Sequence, residues 1–426
     1  MATLKRGKTC KEIPRLSIQW DWKDAFRNGE KAWIACSSLG KPSIYGELKY
    51  QKDESESVQA TERFQVLSMD NNSITVCHPD VNCTSSFISP SKVFTGIHKK
   101  CIRFIDISPG GGLCVTSSDD EELTVWNTSD WTRRCNLSGH ISDINCCKFF
   151  PSGEVVASGG ADMTIRIWSA IDGTCPVTMK GHRGGVTDIA IVEKGRNMSA
   201  NEYNSVTYRP MTYIACSRDG TARLWDCGES RCLAVLASCS CPINGCALDS
   251  AQNVDLGNAE KINRSEREVG TEGKLLLLAR EDGVLSGVGL HSRHMVFEFK
   301  SPSAFNCCAF LSEYEVCGGT EDGKIWILDV RNPGSPLAVV RRSKSPLLHI
   351  LPFGNGGFLA SSGDGTCFYG DVNQSQQDRK TFTRELIGPN CDPVYRICRH
   401  ANTVYTVCRD ACIRKYTLCS NVCNNV

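Results

Sequence analysis

No stretch of this sequence approaches 18 consecutive apolar residues, so no membrane span is expected. Neither sign of charge dominates: 48 Lys and Arg stand against 47 Asp and Glu. The balance holds locally, with 13 basic against 11 acidic residues up to Val93 and 35 against 36 beyond it. No segment is basic enough to track a phosphate backbone, so nucleic acid is not expected as a partner. Met1 to Cys10 has three basic residues but no apolar run behind them, and a secretory signal is not expected. Also missing are a Gly-x4-Gly-Lys-Ser/Thr phosphate loop, a Gly-x-Ser-x-Gly elbow and a His-Glu-x2-His metal helix. The eight histidines are dispersed. The chain therefore reads as non-enzymatic, with no cofactor.

Cysteine, by contrast, is plentiful at 26 residues. In the reducing compartment expected here, disulfides are disfavoured. The cysteines lie side by side (Cys146 and Cys147, Cys307 and Cys308) or singly in apolar runs (Cys114, Cys216, Cys317, Cys408). Neighbours on a strand point to opposite faces and cannot chelate one ion together. Cys239 with Cys241, and Cys408 with Cys412, have no second pair or histidine at ligand spacing. No metal site is expected, and these cysteines read as small buried hydrophobes.

What is present is a repeat. Asp120, Asp162, Asp219, Asp282, Asp322, Asp364 and Asp410 recur at intervals of 42, 57, 63, 40, 42 and 46 residues. Six residues after each comes a strand end: Trp126, Trp168, Trp225, Val288, Leu328, Gly370 and Tyr416. His98, His140 and His182 are also 42 residues apart. A period near 40 to 45 ending in Trp-Asp marks a four-stranded propeller blade. One such unit cannot bury its own faces, whereas seven in a ring can. The expected architecture is all-β: a seven-bladed WD40 β-propeller over 91–419, a small α+β N-terminal domain over 1–90 and a tail over 420–426. The last repeat ends at its third strand, so Ser91–Thr95 is expected to supply the missing outer strand, with Phe94 near Tyr416.

In the N-terminal segment, Trp20–Asn28 reads as a short helix stopped by Gly29. Ala32–Ser37, Ile44–Tyr50, Phe64–Met69 and Ser73–Cys77 read as strands, and Lys52–Glu62 as a polar loop. Two repeats carry extra length, at Arg196–Tyr213 and Ala251–Gly273. Both fall between first and second strands, where loops project on the lower face.

Within a blade, histidine, a strand hydroxyl, the turn aspartate and the tryptophan indole can bond in series, satisfying polar groups inside the sheet stack. His140, Ser158, Asp162 and Trp168 are positioned for the full relay, and His182, Asp219 and Trp225 for its counterpart in the next repeat. From the fourth repeat on the histidine and tryptophan are missing, so those blades are expected to rest on apolar packing. The residue before each aspartate is free to face solvent on the upper rim, where propellers usually dock proteins. Its occupants are Asp119, Ala161, Arg218, Glu281, Glu321, Gly363 and Arg409. Arg218 and Arg409 are candidates to hold carboxylates, and Asp119, Glu281 and Glu321 to meet Lys or Arg.

Several stretches go beyond the generic repeat, and a blade demands neither the Ser265–Thr271 nor the Cys391–Tyr395 sequence among them. They are Asn145–Gly153 (NCCKFFPSG), Ser217–Cys227 (SRDGTARLWDC), Ser265–Thr271 (SEREVGT), Leu275–Asp282 (LLLLARED), Ala304–Phe310 (AFNCCAF) and Cys391–Tyr395 (CDPVY) with Cys408-Arg409-Asp410. Together they resemble the proteasomal ATPase-associated factor family of WD-repeat proteins, over most of the repeats and more weakly over Trp20–Tyr45. Arg196–Tyr213 departs from the family pattern, as do the first twelve residues. The resemblance implies a non-catalytic assembly chaperone that binds the C-terminal domain of an ATPase subunit in the base of the proteasome regulatory particle. It implies a monomer when free, cytoplasmic, with the nucleus open as a second compartment. The alternative is a WD-repeat scaffold or substrate receptor in a ubiquitin-ligase complex. Such receptors often carry Arg or Lys shortly after Trp-Asp, whereas here Trp225-Asp226 is followed by Cys227 and Gly228.

Overall fold

The structure, a computed structural model, describes residues 11–12, 14–38, 40–51, 57–192, 211–251, 254–257, 264–354, 356–371 and 381–418. Seven sheets built on the repeat form a propeller: blades one to seven span 102–136, 144–180, 186–238, 243–300, 305–341, 347–386 and 394–417. Each blade is antiparallel, and its second strand lies between the faces of its neighbours. That sandwiching explains why Thr212–Ser217 and Gly357–Ser362 are buried along their whole length. Aromatics fill the seams: Phe150 meets Tyr213 edge to face at 6.2 Å, and both are almost fully buried. The turn glycines that follow the aspartates, such as Gly220 and Gly283, have φ of 76° and 81°, a conformation that costs a side chain but suits glycine.

The ring closes through the N-terminal segment. We number its strands β1 (Lys11–Glu12), β2 (Arg15–Ile18), β3 (Lys31–Ser37), β4 (Ile44–Gln51), β5 (Ser57–Ala60), β6 (Gln65–Met69), β7 (Ser73–His78), β8 (Cys83–Ile88) and β9 (Lys92–Phe94). β9 lies antiparallel beside the third strand of blade seven, with Phe94 opposite Ile413. β8 runs parallel to the outer strand of blade six, from Cys83 opposite Thr381 to Ile88 opposite Leu386. β1 runs parallel to the outer strand of blade five, with Lys11 opposite Val340. One segment thus covers the outer edges of three consecutive blades and hides their unpaired backbone groups.

This differs from a separate front domain. β6, β7 and β8 continue blade six into a seven-stranded sheet, and only β2 to β5 form a sheet of their own. The helix spans Trp22–Arg27, buries Trp22, Ala25 and Phe26, and ends where Gly29 takes φ of 76° and donates to Phe26 O. Part of the expected polar loop is β5, paired with β4, while 52–56 lie outside the described residues. So do most of the long loop in blade three, 193–210, and the tail 419–426.

Candidate functional site

In blade two the relay is continuous. Trp168 Nε1 donates to Ser158 Oγ at 2.8 Å, Ser158 Oγ lies 2.7 Å from His140 Nε2, and His140 Nδ1 lies 2.8 Å from Asp162. Burial pushes the His140 pKa down despite the Asp162 hydrogen bond, so the imidazole is neutral. A neutral ring accepting from Ser158 and donating to Asp162 matches all four groups. Blade one repeats this with Trp126, Thr116, His98 and Asp120 at 2.8, 2.8 and 3.3 Å. Glu122 lies near His98 and Asp120, and the three are close enough to share an ion, but both His98 nitrogens are already engaged in the relay.

Blade three breaks the chain. His182 Nδ1 lies 3.0 Å from Asp219, but the hydroxyl position is Ala215, and both His182 Nε2 and Trp225 Nε1 are buried without a partner. Blades four to seven correct the expectation of apolar packing alone, because cations and hydroxyls take over the turn aspartates. Arg280 holds Asp282 at 2.5 Å and Lys324 holds Asp322 at 2.5 Å. Arg414 pairs with Asp410. Asp364 accepts from Thr366 at 2.6 Å and from Arg15 of β2 at 3.3 Å. Burial acts to raise all seven aspartates, and these bonds outweigh it and hold every one below the usual carboxylate range.

Every inner strand has a bulge after its first residue. The residues pushed out are Arg103, Asn145, Thr187, Asn244, Asn306, Leu348 and Tyr395, and all seven line the upper mouth of the central channel, a cavity of about 400 Å³. Four form a collar by donating to the first inner-strand carbonyl of the next blade. Asn145 reaches Val186 O at 2.8 Å, Thr187 reaches Ile243 O at 2.7 Å, Asn244 reaches Phe305 O at 3.0 Å, and Asn306 reaches Leu347 O at 3.2 Å. Between blades seven and one, Tyr395 instead stacks under Arg103, 4.4 Å from the ring centre. Sequence reasoning missed this collar, whose only signal is Asn before Cys-Cys or Gly-Cys in three repeats. Below it Arg396 stacks on Phe104 at 4.1 Å and faces Asp188 at 3.8 Å.

The rim positions prove unequal. Asp119 is clamped by Arg103 at 2.7 and 2.8 Å, Glu321 accepts from Asn306 at 2.7 Å, and Arg409 is paired with Asp392 at 2.8 Å. Arg218 and Glu281 are exposed, and no side-chain partner reaches either among the described residues. Asp119 and Arg218 both line the channel mouth, whereas Glu281, Glu321 and Arg409 stand outside it. Of the described cysteines only Cys391 is exposed. Burial pushes the Cys146 and Cys147 thiols well above their usual range.

The non-blade stretches turn out to be tethers. In Ser265–Thr271, Arg267 pairs with Asp226, which is completely buried at the end of a blade-three strand. Glu268 accepts from Ser265 N at 3.2 Å and Arg293 at 2.7 Å, and Thr271 meets His291 at 3.0 Å. The described part of the Ala251–Gly273 insertion is therefore fastened across two blades, against the expectation of a projecting loop. Cys391–Tyr395 is held in the same manner: Cys408 Sγ donates to Asp392 O at 3.2 Å, and Arg409 N donates to Pro393 O at 3.2 Å.

Comparison with known proteins agrees with this architecture. The model of the WD domain, G-beta repeat, matches residues 88–127, 131–169 and 173–226. Proteasomal ATPase-associated factor 1 of Gallus gallus and of Homo sapiens are each 48% identical over 408 residues, covering 95% of this chain and 98% of theirs. The chain belongs to the proteasomal ATPase-associated factor 1 family. A more distant relative, the 26S proteasome regulatory subunit RPN14 of Saccharomyces cerevisiae, is 29% identical over 61% of each chain. The family's relatives are thus named as proteasome-associated factors carrying WD repeats.

Proposed function

We propose that this chain is a non-catalytic assembly chaperone that binds the C-terminal domain of a proteasomal ATPase subunit. The observation that carries this reading is the likeness along 95% of the chain to proteins named proteasomal ATPase-associated factor 1. The upper face supports it physically. A collar of inter-blade hydrogen bonds makes that face rigid, and a rigid platform binds without an ordering cost. The mechanism is steric and reversible. The propeller holds one ATPase subunit, its bulk keeps that subunit from docking on the core particle too early, and the partner hydrolyses any ATP. The free chain is a monomer of the cytoplasm, with the nucleus open as a second compartment. A ligase-receptor role is less well supported, because Asp226 of the Trp-Asp pair is buried against Arg267.

The test is a pull-down of the purified chain against each isolated proteasomal ATPase C-terminal domain. Selective retention of one domain is expected. A folded chain that retains none would overturn the proposal.

A further inference from the structure

The relay aspartates of blades one, two and three do a second job. Each accepts the backbone N–H of the residue after the histidine: Lys99 at 3.2 Å, Ile141 at 3.3 Å and Arg183 at 2.8 Å. Three equivalent side chains are thereby pinned at equivalent places on the upper rim. Two are cations and the middle one is Ile141, which is 85% exposed, the most exposed large apolar side chain among the described residues. The residue after the turn aspartate shows the same contrast. It is Glu121 in blade one and Gly220 in blade three, but Met163 in blade two, 44% exposed at φ of 63°. Glu121 and Ala411 take the same conformation, with φ of 66° and 60°, so what sets Met163 apart is a large apolar side chain left exposed. Ala161, at the position before the aspartate, completes an apolar island where the neighbouring blades carry Asp119 and Arg218.

The island continues directly into blade three. A side chain at Gly185 would come within 3.1 Å of Ala161 Cα, and Gly185 O accepts the backbone N–H of Arg218 at 2.9 Å. Arg183 and Arg218 are both exposed, and neither side chain has a partner among the described residues. Asp162, between Ala161 and Met163, is taken up by His140 and the Ile141 N–H, and the exposed carboxylate next along the chain, Asp143, lines the channel mouth. Isolated exposed apolar residues need no explanation, but an apolar cluster bordered by two free guanidinium groups is the composition of an interface anchor.

We infer that the upper rim of blades two and three is the anchor of the docking face, and that it takes an amphipathic helix with an apolar stripe bordered by carboxylates. The apolar stripe covers Ile141, Ala161 and Met163, and the carboxylates meet Arg183 and Arg218. This rests on the proposed function only for the partner's identity, not for the chemistry of the site.

The test uses the full chain and two labelled helical peptides, one with a leucine stripe flanked by Glu, the other with the same stripe flanked by Lys, followed by fluorescence anisotropy. The Glu peptide is expected to bind at least tenfold more tightly than the Lys peptide. Ile141→Asp, and Arg183→Glu with Arg218→Glu, are each expected to weaken it at least tenfold, while Met163→Gly weakens it without altering the turn. Lys49→Glu, on the exposed face of β4, should change nothing. Binding of neither peptide, equal binding of both, or an unaffected Ile141→Asp variant overturns the inference. An ATPase C-terminal domain that binds wild type and Ile141→Asp equally overturns it too, but spares the proposed function. If the Glu peptide binds and every ATPase domain fails, the proposed function falls and this surface stands.

Discussion

His182 and Trp225 face one another in blade three with ring centres 5.6 Å apart and no hydroxyl between them. In blades one and two that space holds Thr116 or Ser158, which accepts from the indole and donates to the imidazole. Ala215 supplies no such group, leaving an N–H and a ring nitrogen buried and unpaired. Ala215→Ser should restore both bonds and raise stability by about 1 kcal/mol. Ala215→Val, which adds bulk without a donor, should lower it. Urea unfolding of both variants checks this, and a Ser variant no more stable than wild type would show that the gap is already satisfied by solvent.

The seven turn aspartates should make the ring sensitive to acid. A carboxyl held low in the folded state contributes stability that is complete above its unfolded value, near 4, and is lost as pH falls through its folded value. Asp364 shows the size of the effect. Burial alone would raise its pKa, but Ser362, Thr366 and Arg15 bring it down to about 2. A drop of roughly two units corresponds to about 2–3 kcal/mol. Asp364→Asn should therefore be less stable than wild type by about that amount at pH 7, and the gap should close between pH 4 and 2. Thermal melts across that range measure it; a gap independent of pH would assign the loss to something other than ionisation.

How much of this was legible in the sequence depends on how local each device is. The relay of blades one and two could be read because histidine, hydroxyl, aspartate and tryptophan recur at one period. The cations of the later blades could not: Arg280, Lys324 and Arg414 lie within four residues of their aspartates, where a charge looks the same whether it folds back or faces water. The path of the N-terminal segment was legible only at β9, where a missing strand implied a donor. The parallel pairing of β8 with blade six leaves no such vacancy. Ser85 and Thr383 meet at 2.6 Å across 298 residues, and nothing in either stretch names the other. On the rim, the position before each aspartate was readable, but not that Asp119, Glu321 and Arg409 are occupied by Arg103, Asn306 and Asp392. Those partners come from bulges and adjoining loops that one-dimensional spacing does not register.

Ring closure should depend on β9 more than on the ion pair of β2. Phe94 is buried, stacks on Trp131 at 4.2 Å and lies opposite Ile413. Phe94→Ala should cost about 3 kcal/mol. Arg15→Ala removes a partly exposed pair with Asp364 and should cost about 1 kcal/mol. Equal losses in chemical denaturation would place the closure in β2 to β8 instead.

The collar should hold neighbouring blades in register. Asn244→Leu deletes the donor to Phe305 O and leaves that carbonyl without its inter-blade partner, at an expected cost of about 1–2 kcal/mol. Hydrogen exchange should quicken at the seam between blades four and five and stay unchanged between blades two and three, where Asn145 still bonds Val186 O. Uniform quickening would mean the collar acts on global stability and not on one seam.

The tether of Arg267 to Asp226 offers the sharpest separation of fold from docking. Asp226 is fully buried, so removing its cation strands a charge that water cannot reach, whereas Arg267 itself is about one-third exposed. Removing the cation from a buried carboxylate is destabilising, so Arg267→Ala should lower the melting temperature. Asp226→Asn with Arg267→Ala removes charge and partner together and should recover part of that loss. The insertion that carries Arg267 joins the first and second strands of blade four, on the face opposite the upper rim, so affinity for an upper-face partner should be unchanged in both variants. Calorimetry against the retained ATPase domain, at a temperature where each variant is folded, decides the matter. A large affinity loss in Arg267→Ala would move the docking surface to the lower face.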